Sequence, residues 1–113
     1  MCSSDLDLSD RLEGCAAAHG LRPVRGRSWT IDAPYRETVD AIRRHREAGV
    51  LVVEMEAAAI FAVARVRGIR SALIVAVSDE LCHPEWRPGF DDERYTGTLL
   101  AAADAVLACA GMA

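Results

Sequence analysis

An acidic interruption between two apolar runs most constrains how this chain can fold. Val50–Val53 is a continuous run of β-branched and aliphatic residues, which is typical of a strand buried on both faces. Glu54-Met55-Glu56 breaks the run, and the Ala-rich residues 57–66 that follow favour a helix with little polar surface. The acidic pair therefore lies at a strand-to-helix junction, where open α/β sheets usually place their ligand sites.

The same pattern recurs one element further along the chain. Gly68 is expected to end the Ala-rich helix, and Ala72–Val77 predicts a second buried strand that stops at Ser78-Asp79. A strand, a helix and a strand of these lengths form a right-handed crossover with parallel strands. We therefore expect both acidic breaks at the same carboxyl edge of one sheet.

The flanking segments predict further helices and strands. A helix near 9–19 with Ser9 or Asp10 as its cap precedes an extended strand within 21–31. Asp32-Ala-Pro34 then predicts a second helix, with Asp32 as its candidate cap, that begins near Pro34 and stops at Gly49. Asp40 and Arg44 are expected to pair on that second helix. Residues 82–92 have the composition of a loop that covers a site, and a closing helix is predicted over 99–110.

Composition narrows the class of partner. A chain of 113 residues is one domain at most, and its net charge of −4 argues against nucleic acid or an anionic membrane. The sequence contains neither an apolar run of roughly 18 residues nor an N-terminal signal region, so we expect a cytoplasmic protein with a small-molecule ligand. The cysteines lack metal-ligand spacing, and the adjacent Cys82-His83 cannot complete a tetrahedral set, so we expect no metal site.

The acids have two interpretations. Glu or Asp at a strand end can cap the following helix, but capping explains three acids at one edge less easily. A carboxylate such as Glu56 can instead accept both hydroxyl hydrogens of a vicinal diol, while the Met55 thioether packs on the sugar face. Asp79 could then donate a proton to a departing heterocycle, if burial or nearby Glu80 favours its protonated form.

Three motifs together resemble the nucleoside phosphorylase and nucleosidase superfamily: Val53-Glu-Met-Glu-Ala-Ala-Ala59, the apolar helix ending at Gly68, and Val77-Ser-Asp79. Trp29–Thr38 is similar to the segment before the ribose motif in uridine and purine nucleoside phosphorylase-like members, so the resemblance covers most of residues 22–110. It implies an α/β fold, the carboxy-terminal part of a nucleoside phosphorylase-type mixed sheet flanked by helices, as an incomplete domain.

The resemblance implies roles for individual residues. They are Met55, Glu56 and Glu54 at the ribose, Tyr35, Ser78 and Arg87 at the base, and Asp79 as the catalytic acid that protonates the base at N7. Two departures stand out near the base: Pro34 occupies the place of a frequent stacking Phe, and the spacing of Arg87 from Asp79 differs from the purine-enzyme pattern. The family's Gly-rich phosphate loop and phosphate-binding arginines have no counterpart in this chain.

The implied activity is cleavage of the N-glycosidic bond of a purine or related nucleoside, with phosphate as co-substrate, no cofactor, and a homo-oligomeric parent. Uridine phosphorylase, a methylthioadenosine/adenosylhomocysteine-type nucleosidase, and an inactive fragment or interaction-only α/β module remain alternatives. Residues 1–6 match the translation of a common sequencing-adapter tail, GTG TGC TCT TCC GAT CT. We therefore expect 1–6 to be a non-family leader and 7–113 to be the carboxy-terminal half of the domain.

Overall fold

A computed structural model describes residues 4–81 and 85–111 of the chain. Its elements, in chain order, are α1 (Leu6–Ala18), β1 (Arg27–Thr30), a 3₁₀ helix (Pro34–Arg36), α2 (Val39–Glu47), β2 (Val50–Glu54), α3 (Ala57–Arg67), β3 (Asp79–Glu80), β4 (Arg87–Pro88) and α4 (Glu93–Cys109). They form two compact units, one over residues 24–69 and one over residues 4–23 together with 70–111. The predicted α/β class is confirmed, with a small parallel sheet and flanking helices.

The sheet of the first unit consists of β1 and β2, which run parallel. Parallel neighbours need a crossover, and here the 3₁₀ helix and α2 supply it. Thr30 lies opposite Glu54 in the register, and the backbone N–H of Ile31 extends the pairing by donating to the Glu54 carbonyl over 2.9 Å. The carboxyl ends of both strands therefore meet at Thr30 and Glu54.

Helix α2 begins later than the sequence predicts. The chain from Pro34 forms only a short 3₁₀ helix, and Thr38 is the cap of α2, accepting the backbone N–H of Ala41 over 3.2 Å. The predicted cap Asp32 instead makes an ion pair of 3.2 Å with Arg36. The prediction of one continuous helix from Pro34 to Gly49 is therefore wrong: a 3₁₀ helix begins at Pro34, and α2 begins separately after Thr38, whose hydroxyl accepts a free amide of its first turn.

An aromatic stack holds α2 against β1. The His45 ring stacks on the Trp29 ring of β1 with centroids 4.1 Å apart, and Gly49 follows the helix at a φ of 75°. The expected pair between Asp40 and Arg44 is replaced: the Asp40 carboxylate pairs with Arg43 at 2.9 Å, and Arg44 donates to the Asp40 backbone carbonyl. Helix α2 therefore covers one side of β1 through an aromatic stack.

Helix α3 ends where the sequence predicts. Gly68 adopts the left-handed conformation with φ 65°, and the N–H of Ile69 then reaches the Ala64 carbonyl over 3.0 Å. Such a turn closes the open end of a helix and suits glycine, which has no Cβ to clash. Ala57 and Ala64 face inward, whereas three large apolar side chains of α3 remain exposed, namely Ile60, Val63 and Val66.

The second unit is built on the contact between α1 and α4. Its buried residues are small or aliphatic: Leu12, Ala16, Ala102, Ala105 and Cys109. Helix α1 starts at Leu6 rather than Ser9, because Asp5 caps it by accepting the N–H of Leu8 over 2.8 Å. Helix α4 starts at Glu93, well before the predicted Leu99, with Asp92 as its cap.

The predicted strand over Ala72–Val77 is wrong. Strand β3 covers only Asp79–Glu80 and pairs antiparallel with β4, so that Asp79 lies opposite Pro88. A strand exists only where a neighbour accepts and donates its backbone hydrogen bonds, and within residues 4–81 and 85–111 no strand lies beside 72–77. Burial still alternates there, with Leu73, Val75 and Val77 exposed between half-buried neighbours.

The structure describes only part of the predicted covering loop over residues 82–92. Of the predicted covering loop, Cys82 and His83 lie outside the described residues, whereas Arg87 and Pro88 form β4. Across residues 4–81 and 85–111, none of the helices combines the length and the apolar character needed to cross a membrane.

Candidate functional site

The Glu54 carboxylate joins three segments of the first unit. One of its oxygens accepts the hydroxyl hydrogen of Thr30, and the other accepts the backbone N–H groups of Glu56 at 2.9 Å and Ala57 at 2.5 Å. The Thr30 hydroxyl in turn accepts the N–H of Ala58 over 3.1 Å. A single carboxylate and a single hydroxyl thus satisfy three free amides at the start of α3.

These contacts determine the charge state of Glu54. Burial raises its pKa, but hydrogen bonds from Thr30, from the amides of Ala57 and Glu56, and from Ser28 outweigh burial and leave the pKa below its ordinary value. All of these donors favour the ionised form, as does the positive end of a helix. Glu54 is therefore an ionised structural acid whose oxygens are already committed to protein groups.

The side chains of Met55 and Glu56 are more exposed than that of Glu54. Both are exposed, and the Met55 side chain is 46% accessible. Glu56 occupies the N-cap position just before α3, yet its side chain does not cap the helix, because the Glu54 carboxylate accepts the free amides there. Among residues 4–81 and 85–111, the Glu56 carboxylate accepts one hydrogen bond, from the exposed N–H of Met55 over 3.1 Å. Met55 and Glu56 thus leave a thioether and a carboxylate open to a ligand.

Tyr35 lies in the 3₁₀ helix of the same unit and is 83% exposed. The proline before it sits in the first helical position, where its missing N–H costs nothing. The aromatic ring of Tyr35 is therefore largely accessible to solvent, which is compatible with stacking on a planar ligand.

Asp79 is the centre of a second cluster, in the other unit. One carboxylate oxygen accepts the Ser78 hydroxyl hydrogen over 2.6 Å, and the other accepts the Trp86 indole N–H over 2.7 Å. The Trp86 ring also contacts the Phe90 ring, with centroids 6.1 Å apart and planes tilted by 51°. Asp79 is half-buried, so the two donors and the antiparallel β3–β4 pair hold its carboxylate at a defined position.

Arg87 lies on β4, where it is opposite Glu80 in the register and exposed. Gly89 follows this strand and lies so close to the residue before β3 that a Cβ there would be 2.7 Å from the Ser78 carbonyl oxygen. The β3–β4 pair therefore requires glycine at position 89, since the clashing atom is rigid backbone.

The structure gathers the seven candidate residues into two sets. Residues 24–69 carry Glu54, Met55, Glu56 and Tyr35, and residues 70–111 carry Ser78, Asp79 and Arg87. Expecting all the acids at one sheet edge relied on a strand over 72–77, and the partner of β2 is β1 instead. The roles of these residues stay predictions.

Sequence reasoning missed two side chains that hold the acids. Thr30 binds Glu54, and the signal for it is the parallel register, which places a hydroxyl residue opposite the strand-end acid. Trp86 binds Asp79, but it follows seven residues later in an irregular segment, and no sequence periodicity connects the two. Only the β3–β4 pairing brings the indole back to the carboxylate.

Comparisons with known proteins agree with the motifs. A family model described as "Phosphorylase superfamily" matches residues 2–110. A purine nucleoside phosphorylase DeoD-type of Bacillus cereus is 30% identical over 79 residues, which cover 70% of this chain and 34% of the relative. Proteins of the same name from Bacillus thuringiensis (strain Al Hakam) and Bacillus mycoides (strain KBAB4) have the same identity and coverage. The aligned part of the chain thus spans about a third of the length of these relatives.

Proposed function

The chain belongs to the phosphorylase superfamily, and we propose that it carries the ribose- and base-binding part of a purine nucleoside phosphorylase. The reaction breaks the N-glycosidic bond and forms a bond between the ribose C1′ and a phosphate oxygen, giving a free base and ribose 1-phosphate. The preference for a purine is supported by the similarity to purine nucleoside phosphorylases of the DeoD type and by the Ser78-Asp79 pair. Phosphate is the co-substrate, and no cofactor is required.

The observation that carries the proposal is that the two glutamates at the β2–α3 junction have different hydrogen-bond partners. Glu54 is occupied by Thr30 and the helix amides, whereas Glu56 has one exposed backbone contact. An ionised carboxylate has about four lone-pair sites and can accept two hydroxyl hydrogens at once. We assign the ribose 2′- and 3′-hydroxyls to Glu56 and the apolar sugar face to the Met55 thioether.

In the proposed base site, Asp79 supplies the proton. Within the described part of the chain, its hydrogen-bond donors are Ser78 and Trp86, each of which uses one lone pair of one oxygen, and a carboxylate oxygen has a second lone pair that can hold a proton. Delivering that proton to N7 lets the purine leave neutral while the ribose becomes cationic. The exposed Tyr35 ring would stack on the base, and Arg87 would assist in binding it.

The test is nucleoside binding by the 113-residue chain. Isothermal titration with inosine is expected to detect binding, and Glu56→Gln is expected to weaken it by about 1.5–3 kcal/mol, since the amide keeps one neutral acceptor oxygen and replaces the other with an NH₂ donor. Glu47→Gln makes the same chemical change at an exposed position of α2 and serves as the control. Equal affinities for the Glu56→Gln and Glu47→Gln chains would contradict the ribose role.

Parallel measurements separate the alternatives. Tighter binding of uridine than of inosine would favour a uridine phosphorylase, and product formation by a full-length parent without phosphate would favour a nucleosidase. A folded chain that binds neither nucleoside would instead be an interaction-only module. Three further expectations stay predictions: that the parent protein is a homo-oligomer, that it is cytoplasmic, and that the family domain begins at residue 7 after a non-family leader.

A further inference from the structure

The contact between α1 and α4 contains two thiols that the proposed reaction does not use. The side chains of Cys15 on α1 and Cys109 on α4 neighbour each other across this contact, and both are free cysteines. The Arg11 guanidinium, one turn before Cys15, donates to the Cys109 carbonyl over 3.0 Å. Two independent contacts thus hold the same turn of α1 against the end of α4.

Small buried side chains line the contact between the two helices. Ala16 and Ala105 are 0% exposed, and Ala102 is buried beside them. Alanine at a helix contact shortens the distance between the two backbones, which brings short side chains such as cysteine within bonding reach. The pair is therefore a built feature of the packing rather than two thiols on a mobile surface.

The two thiols differ in access. Cys15 is half-buried and Cys109 is buried, so a reagent in solvent reaches the Cys15 sulfur first. Burial and then the neighbouring Cys109 thiol raise the pKa of Cys15, against an opposing effect of Arg11. Since the thiolate is the reactive form, Cys15 should react slowly at neutral pH and faster at alkaline pH.

We propose that Cys15 and Cys109 form a dithiol modification site that a small disulfide, such as oxidised glutathione, converts into a disulfide between α1 and α4. The Cys15 thiolate attacks one glutathione sulfur, forms a mixed disulfide and expels one glutathione thiolate. The Cys109 thiolate then attacks the Cys15 sulfur and expels the second. Each leaving thiolate takes up one of the two cysteine protons, so the chain is oxidised by two electrons and glutathione is reduced by two.

The experiment uses the full chain with Cys2→Ser and Cys82→Ser, so that Cys15 and Cys109 are its remaining cysteines. After incubation with oxidised glutathione and an acid quench, the intact mass is expected to fall by about 2 Da, and a tryptic digest without reductant should join peptides 12–25 and 95–113. The joined peptides are expected to form faster at pH 9 than at pH 7, and dithiothreitol should separate them.

Two further measurements keep the outcome decisive. Adding Cys109→Ser to the same background is expected to stop the reaction at one glutathione adduct on Cys15, because the second thiol is missing. The oxidised chain should melt at least about 10 °C higher than the reduced chain, since the bridge closes a loop of nearly the whole chain. Two free thiols at both pH values, an adduct without the bridge, or bridges between two chains would each overturn the proposal. The same peptide pair can be sought in the unsubstituted chain.

Discussion

Replacing Thr30 with valine tests the hydrogen-bond network at the β2–α3 junction most directly. Valine keeps the size and β-branching of threonine but removes the hydroxyl, which donates to Glu54 and accepts the N–H of Ala58 over 3.1 Å. The substitution therefore breaks two hydrogen bonds without leaving a cavity. The substitution leaves the hydrogen bonds between Glu54 and the amides of Glu56 and Ala57 in place.

The magnitude follows from the kind of bond lost. A hydrogen bond to a charged acceptor contributes about 1.5–3 kcal/mol, and a neutral one contributes about 0.5–1.5 kcal/mol. Ala58 is exposed, so water can replace its lost partner and only the Glu54 bond counts in full. We expect Thr30→Val to lower the free energy of unfolding of the first unit by about 2 kcal/mol at pH 7.

The loss should depend on pH because Glu54 ionises more readily in the folded chain. Its folded pKa is below the ordinary value of 4.5, so its stabilising effect is fully present above that value and disappears as pH falls through the folded pKa. Without the Thr30 donor, the folded pKa of Glu54 moves back toward the ordinary value. The difference between the two proteins should therefore be largest above pH ~5 and shrink on acidification.

Urea unfolding followed by tryptophan fluorescence measures this difference. The chain has two tryptophans, so in a Trp86→Phe background the emission comes from Trp29, which stacks on His45 in the unit that holds Thr30. Thr98→Val is the matched control, because its hydroxyl donates to the Arg94 carbonyl on an exposed turn of α4. A loss below about 0.5 kcal/mol, or an equal loss at pH 3 and pH 7, would refute the network.

Three other predictions concern single positions. Asp92→Asn keeps a capping side chain on α4 but removes the carboxylate, whose pKa the hydrogen bonds with Arg94 lower to about 2. Between pH 4 and pH 2, the unfolding midpoint of the variant should therefore fall less than that of the unsubstituted chain, and equal falls would contradict this prediction. Gly89→Ala forces a Cβ against the Ser78 carbonyl and should destabilise the β3–β4 pair by about 1–3 kcal/mol. Trp86 fluorescence measures this change, and an emission spectrum equal to that of the unsubstituted chain would contradict it. Trp86→Phe removes the indole donor of Asp79, so base binding should weaken while ribose binding is retained, and equal losses for inosine and for ribose would count against that role.

The elements that the sequence predicts well are those that depend on neighbours close in the chain. The left-handed Gly68 and the strand at Val50–Glu54 depend on local chemistry, and both are where the sequence places them. Errors at helix starts have a common cause, since several residues compete to cap each helix. Asp5 caps α1 in place of Ser9, and Thr38 caps α2 in place of Asp32, because their side-chain oxygens reach a free amide in the folded backbone.

The prediction for Ala72–Val77 fails for a different reason. Its composition is that of a buried strand, and its alternating burial retains the period of two. Pairing, however, is a property of two segments, and the sequence of one segment does not contain the position of its neighbour. The same limit explains why Trp86 could not be predicted at Asp79, whereas Thr30 could be placed at Glu54 once β1 and β2 are paired.

The spacing of the two glutamates explains how one short turn can serve both the fold and a ligand. An acid at the last position of a strand can curl back to the first amides of the following helix, as Glu54 does. That relieves Glu56 from capping its own helix, although it occupies the cap position. The second carboxylate then remains exposed, beside the positive end of α3, where negative charge is stabilised. Removing Glu54 should therefore weaken ribose binding indirectly, by drawing Glu56 into the vacated capping role.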